Sequence, residues 1–316
     1  MVYNFSAMVL DLVDKILELK KANQAVILAH NYQTGDIQDI ADFVGDSLDL
    51  SQQAAKTDAK VIIFCGVHFM AETAYILSPE KTVIMPDIRA GCPMADMITV
   101  QQLKEWKQKH PKATVVCYIN TSAEVKAESD ICVTSSSAVK VIASLKSSPE
   151  ILFVPDQYLG SWVAKQFPEK KFIFYPGYCN IHVHILPEYI AQLKKQHPQA
   201  EVMVHPECTG EVISLADKVL GTGGMLKYAK QSSAKEFIVG TENGLIYRLK
   251  KENPDKEFYP TAGHILCPNM KVTTLEKVLW ALEDIEHPRP PAAKVILTEE
   301  VRLKAKRMID RMLAVV

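Results

Sequence analysis

Three cysteines stand almost one-third of the chain apart. Cys92, Cys179 and Cys267 are separated by 87 and 88 residues in a chain of 316. Thiolates are soft ligands, and three of them gathered at one point make a metal site. A structural zinc site normally takes four protein ligands, often in paired CxxC knuckles, and the chain contains no such knuckle. Iron–sulfur clusters suit the same donors. Three cysteines on a four-iron cluster would leave one iron without a protein ligand, free to bind a substrate oxygen as a Lewis acid. That is dehydration chemistry more than electron transfer.

The spacing is a property of the sequence around the cysteines as well. His110-Pro111-Lys112-Ala113 recurs 87 residues later as His197-Pro198-Gln199-Ala200. In that register Val115 meets Val202, Tyr118 meets His205, Asn120 meets Glu207, Asp130 meets Asp217 and Ser135 meets Thr222. The first copy lies 88 residues earlier, so Tyr118 falls on His30, Asn120 on Tyr32, Asp130 on Asp42 and Ser135 on Ser47. Downstream, Ser78-Pro79-Glu80-Lys81, Phe167-Pro168-Glu169-Lys170 and Asn253-Pro254-Asp255-Lys256 align with small gaps. A period of this length exceeds a solenoid unit and suits a small domain.

Each repeat has the same grammar of short apolar strands and helices. The first strands are Ala25–Ala29, Thr114–Tyr118 and Glu201–Val204. A short helix and a brief second strand follow, then a helix, a third strand and another helix. The fourth strands (Thr82–Met85, Phe172–Tyr175, Phe258–Tyr259) lead to the cysteines. Strands alternating with helices mean parallel βαβ units. The expected class is therefore α/β: three similar three-layer αβα domains with short parallel sheets, set around a pseudo-threefold axis. Their bounds are expected at 1–100, 101–188 and 189–284. An amphipathic helix over 6–21 (Val9, Leu12, Val13, Ile16, Leu17, Leu19) opens the first. The segment 285–316, which holds the stiff His287-Pro288-Arg289-Pro290-Pro291 linker and a helix near Thr298–Leu313, is expected to pack back on the first domain.

In open α/β sheets, ligands bind beyond the carboxyl ends of the strands, and the aligned polar positions lie there. His30 and Tyr32, Tyr118 and Asn120, and His205 and Glu207 end the first strands; Ser47, Ser135 and Thr222 open helices after the second. Helix N-termini with hydroxyl residues suit an anionic substrate. Each group also has an ordinary structural role open to it: a helix cap, a buried aromatic, a satisfied core histidine. Their coincidence in three repeats favours one shared site. Cys65, Cys117 and Cys132 lie in apolar strands and read as inert core, while Cys208 follows Glu207 and stays open. His68, His182, His184 and His264 lie near strand ends but the repeat does not align them.

Composition narrows the rest. The formal net charge is −1 and 48% of residues are hydrophobic, so no broad basic surface for nucleic acid is implied. Met1 to Leu10 lacks the basic-then-apolar pattern of a secretory leader, and no apolar run is long enough for a membrane span. Seven cysteines without tight spacing argue against a disulfide framework and for a reducing cytoplasm.

The segments His30-Asn31-Tyr32-Gln33, Gly45-Asp46-Ser47-Leu48, Gly91-Cys92-Pro93-Met94-Ala95, Tyr118-Ile119-Asn120, Pro176-Gly177-Tyr178-Cys179, His205-Pro206-Glu207-Cys208 and His264-Ile265-Leu266-Cys267-Pro268-Asn269-Met270 together resemble the quinolinate synthase family. The resemblance runs in order over about residues 25–280. It implies an enzyme of de novo NAD biosynthesis that condenses iminoaspartate with dihydroxyacetone phosphate to quinolinate, phosphate and water. It also implies a functional link to an iminoaspartate-producing enzyme and one oxygen-sensitive [4Fe-4S] cluster per chain, on Cys92, Cys179 and Cys267. Substrate contacts carry over to His30, Tyr32, Ser47, Tyr118, Asn120, Ser135, His205, Glu207 and Thr222. Glu207 is then the expected general base, with Tyr32 and His30 as the acid–base pair for isomerisation. Two positions depart from the family pattern. Gly221-Thr222 stands where Ser-Thr is expected, which removes one hydroxyl donor or leaves its task to a backbone N–H. Asn180 follows the middle cysteine where Pro is commoner. Two other functions use the same residues: a cluster-dependent hydro-lyase of another hydroxy acid, and a non-catalytic iron–sulfur or zinc protein.

Overall fold

The computed structural model describes residues 5–316; residues 1–4, the start of the stretch inspected for a leader, lie outside the described residues. The chain divides into two units: Met1–Gly91 with Pro268–Leu297, and Cys92–Cys267 with Thr298–Val316.

The first unit opens with α1 (Phe5–Ala22), β1 (Ala25–His30), α2 (Gly35–Ile40), β2 (Phe43–Gly45), α3 (Ser47–Lys56), β3 (Val61–Cys65), α4 (His68–Leu77) and β4 (Thr82–Met85). The second unit repeats the grammar twice. Its first copy is α5 (Val100–Lys109), β5 (Thr114–Tyr118), α6 (Ala123–Ala127), β6 (Ile131–Val133), α7 (Ala138–Ser144), β7 (Glu150–Val154), α8 (Gln157–Ala164) and β8 (Lys171–Phe174). Its second copy is α9 (Pro187–Gln196), β9 (Glu201–Val204), α10 (Gly210–Ser214), β10 (Lys218–Val219), α11 (Thr222–Gln231), β11 (Glu236–Gly240), α12 (Leu245–Glu252) and β12 (Glu257–Pro260). The chain closes with α13 (Leu275–Glu283), β13 (Ala293–Lys294) and α14 (Glu299–Leu313).

Three sheets result, and their strand orders match: β2-β1-β3-β4, β6-β5-β7-β8 and β10-β9-β11-β12, all parallel. The α/β class and the repeated αβα organisation are as the sequence suggests. Helices on both faces bury a parallel sheet, so its strands read as unbroken apolar runs; all five residues of β3 are buried. In the first unit Ile27, Ile63 and Ile84 meet Ile16 of α1 and Val278 and Leu282 of α13. Leu17, counted on the same face of α1, is instead 40% exposed.

The aligned aspartates and lysines explain why the register persists. Asp42, Asp130 and Asp217 each accept a hydrogen bond from the first strand of their own repeat, at Ile27, Val115 and Val202, all at 2.8 Å. The peptide N–H of each aspartate returns a bond to the carbonyl of that same strand residue. Each repeat thus clamps its second strand to its first with one side chain. The lysines do the same for helices. Lys81 donates to the Ala54 and Thr57 carbonyls, Lys170 to those of Leu145 and Ser148, and Lys256 to those of Ala229 and Ser232. An ammonium there satisfies the unpaired carbonyls at the C-terminal end of α3, α7 and α11.

The C-terminal segment corrects one expectation. Residues up to Leu297 do join the first unit, where β13 pairs antiparallel with β4 and the Ile88 N–H donates to the Pro291 carbonyl. Helix α14, however, packs on α6 and β6 of the second repeat. It buries Ala305, Ile309 and Met312, and Arg311 donates to the Asp130 carbonyl. Its amphipathic pattern specifies a buried face without naming the surface that covers it. Among the described residues, no helix is long and apolar enough to cross a membrane.

Candidate active site

In the second unit, the first strands of two repeats end against each other. The Tyr118 hydroxyl, at the end of β5, donates to Glu207 Oε1 just beyond β9, at 2.6 Å. Glu207 Oε2 lies 2.8 Å from His182 Nδ1 and 3.8 Å from His205 Nδ1. The His182 and His205 rings stack with centroids 4.6 Å apart. His182 Nδ1 also reaches Cys179 Sγ at 3.2 Å, and its Nε2 meets Thr241 Oγ1 at 2.9 Å. Cys179, His182 and Glu207 offer ligand atoms all within 4.8 Å of one another, a grouping that could hold a metal ion. All four polar partners of this chain, Tyr118, Glu207, His182 and His205, are buried.

Burial fixes the charges. His205 is held neutral, its pKa pushed down to about 3 by desolvation, with the His182 charge acting in the same direction and Glu207 only partly opposing. Its Nδ1 accepts the Glu207 N–H, so the imidazole proton sits on Nε2. Desolvation would raise the Glu207 carboxyl. The two imidazoles and the hydrogen bonds from His182 and Tyr118 outweigh it and hold the group well below the usual carboxylate range. Glu207 is therefore an ionised base in a nearly dry pocket. Nearby, desolvation and the Glu207 charge push the buried Asp156 carboxyl up.

The three repeat-aligned cysteines are partly exposed residues, whereas Cys65, Cys117, Cys132 and Cys208 are buried. Cys208 belongs to the third-repeat core. Desolvation pushes the Cys92 thiol up to about 12, and the negative charges of Cys267 and Glu207 add to it. Cys179 is raised well above its ordinary value by desolvation, then by Glu207 and Cys92. The three thiols and Glu207 thus share one electrostatic neighbourhood, and a bound cation is what would favour their thiolate forms.

The helix-opening hydroxyls are not the caps of their helices. Asp46 caps α3 from both sides of a capping box, so Ser47 is the first helical residue. Ser137 stands at the cap of α7, two residues past Ser135, and Gly221 at the cap of α11, so Thr222 opens that helix. The departure at Gly221 has a local reason. A Cβ there would lie 2.7 Å from Ser135 Oγ, so the serine hydroxyl of the second repeat occupies the space that a side chain in the third would need. Asn120 Oδ1 is buried with no hydrogen-bond partner, as an acceptor reserved for a ligand would be.

In the first unit the His30 ring meets the Tyr32 ring edge-on at 4.6 Å, and the Tyr32 N–H donates to His30 Nδ1. This repeats the His205–Glu207 arrangement and again leaves the neutral ring's proton on Nε2. Lys271 donates to the Tyr32 carbonyl, which puts a cation beside that loop.

Of the four unaligned histidines, His182 alone enters the described cluster; His68 lies near Glu72, His264 meets Tyr189 edge-on, and His184 is exposed. A CxxH pattern from Cys179 to His182 was the available signal. Thr241, Asp156 and Lys271 were missed altogether.

The family description "Quinolinate synthetase A protein" (NadA) matches residues 14–314. The chain is 60% identical to a quinolinate synthase of Dehalococcoides mccartyi strain CBDB1, over 96% of this chain and 97% of that one. It is 53% identical to the quinolinate synthase of Thermodesulfovibrio yellowstonii and 51% identical to that of Alkaliphilus metalliredigens, in each case over 96% of this chain and 98% of the relative.

Proposed function

From the premise that this chain belongs to the quinolinate synthase family, we propose that it condenses iminoaspartate (iminosuccinate) with dihydroxyacetone phosphate to give quinolinate, phosphate and water, in the service of NAD synthesis. We propose Cys92, Cys179 and Cys267 as ligands of one [4Fe-4S] cluster. The observation that carries this reading is the shared neighbourhood of the three thiols and Glu207. The residues fit the group: three soft donors, one per repeat, on loops that leave them partly exposed. When bound, such a cluster offers one iron without a protein ligand, a Lewis acid for a substrate hydroxyl or carboxylate.

The chain's own groups divide the remaining work. Ser47 and Thr222, at the first turns of α3 and α11, and Ser135 before α7 hold the carboxylates and phosphate with their hydroxyls. Asn120 Oδ1 takes a donor from the substrate. Glu207 Oε2 removes the proton that must leave carbon as the ring forms, while Tyr118 steadies Oε1. His205 presents Nε2–H to a developing negative oxygen, and His30 and Tyr32 move the proton of the isomerisation step. All seven cysteines are free thiols, which supports a reducing, cytoplasmic setting and a supply of iminoaspartate from an enzyme of the same compartment.

A second reading has its own observation: Cys179, His182 and Glu207 could together hold a single ion. Iron and acid-labile sulfide in protein purified without oxygen separate the two. About four of each per chain, with phosphate and quinolinate formed from the two substrates, are expected. Cys92→Ser protein should then lose most of its iron. A single metal without sulfide, retained in Cys92→Ser, would overturn the cluster and leave the mononuclear site.

A further inference from the structure

A buried carboxylate stands two residues beyond the last paired residue of β7 and of β11, and each reaches the loop of a repeat-aligned cysteine. Glu242 is fully buried. Its Oε1 accepts the Cys267 N–H at 2.9 Å and its Oε2 the Gly244 N–H at 2.7 Å. Asn243 ties the same loop: its N–H donates to the Ile265 carbonyl, and its amide to the carbonyls of Ala262 and Gly263. Thr241 orients His182 through Nε2. Asp156 is the counterpart in the second repeat. Also fully buried, it accepts the Tyr158 and Leu159 N–H groups on Oδ1, while its Oδ2 has no hydrogen-bond partner. The bridge from Asp156 to Gly177, with the Gln157 N–H on the Gly177 carbonyl, binds the approach to Cys179.

We propose that Glu242 and Asp156 are positioning residues that hold the Cys267 and Cys179 loops in their metal-ligating conformation before the cluster arrives. The inference rests on the reading that these cysteines are ligands. The peptide N–H of a ligating cysteine, fixed to a strand-end carboxylate, limits the directions in which its thiol can point. At position 242 a carboxylate is needed because both oxygens accept. Glutamine at 242 would keep one acceptor and turn an NH2 group toward a second N–H donor. Groups that orient ligands in this way govern how tightly a metal is kept.

The test uses anaerobically reconstituted protein and three readouts: iron and sulfide per chain, the rate of iron loss to a chelator, and the EPR spectrum of the reduced cluster. Glu242→Gln is expected to lose iron about 10–100-fold faster than the parent and to alter the EPR line shape. Lys256→Met is the control. It loosens the same repeat at its α11 end and should lower the melting temperature without changing either readout. Wild-type iron loss and line shape in Glu242→Gln would overturn the proposal. So would equal acceleration in Lys256→Met, because the effect would then be general loosening. Asp156→Asn, read through the same assays, keeps the proposal falsifiable if Glu242→Gln fails to fold. Parent protein that holds no iron would overturn the cluster reading and this inference with it; parent protein with about four irons and unperturbed variants would overturn this inference alone.

Discussion

Replacing Tyr118 with Phe removes one hydroxyl and leaves a ring of nearly the same shape in a buried place. The lost bond is 2.6 Å long and ends on a carboxylate whose side chain is 4% exposed. Hydrogen bonds to charged groups contribute about 1.5–3 kcal/mol. At about 1.36 kcal/mol per pKa unit, the Glu207 carboxyl should rise by about one to two units. The sign follows from which form is stabilised: the hydroxyl donates to the ionised carboxylate, so its removal favours protonation. A base that must be ionised then fails at higher pH. The acid limb of the pH–rate profile for quinolinate formation should move up by about one to two units, with the alkaline limb unmoved. The profile, measured with both substrates saturating, is the assay. An acid limb that stayed in place while turnover fell would refute the reasoning and put Tyr118 on the substrate in place of Glu207.

Two further expectations test the frame and the substrate pocket. Asp87 is fully buried and takes Arg89 at 2.7 and 3.0 Å and Lys277 at 2.8 Å. Breaking such a pair costs about 3–5 kcal/mol, and the exposure of Arg89 puts Asp87→Asn at the lower end in urea unfolding. The Arg89 hydrogen bonds hold Asp87 well below its ordinary 3.8, so its contribution is complete above that pH and vanishes on acidification through the folded value; the gap between parent and variant should narrow accordingly. Gly221→Ser supplies the serine that the family resemblance leads one to expect but brings a Cβ to 2.7 Å from Ser135 Oγ. Displacing one hydroxyl from the substrate should raise a KM about twofold to tenfold, and Ser135→Ala on the same background should add little. Additive losses would mean the two positions do not share the ligand.

The repeat was legible because its fastenings are single residues at fixed distances. Asp130 and Lys170 each recur where one side chain must reach one strand or one helix end. Strand identity followed from apolar runs such as Val61–Cys65, and Glu207 and Tyr118 from their place at strand ends. His182 escaped because it opens the short 3-10 turn after Cys179 at a position where the other two repeats carry Ala95 and Met270. Asp156 and Glu242 escaped because they fall one position out of register, on loops whose bonds run to backbone amides that no sequence pattern reports. Strand β13 is two residues long and exists only by pairing with β4, so it carries no periodicity of its own. The packing of α14 was misread for a related reason: an apolar stripe encodes burial, and the identity of the partner surface is decided by shape.

The way the C-terminal segment is shared has a consequence for synthesis. The first sheet gains its outer strand and α13 only from residues beyond 274, and α6 and β6 gain α14 only from residues beyond 298. The third repeat carries all four of its strands within Glu201–Pro260. In a growing chain the two earlier repeats therefore stay incomplete until after the strands of the last one have been made. The faces that α13 and α14 will cover stay open to a holding chaperone for most of translation, and removal of α14 would leave the second repeat in that nascent condition permanently.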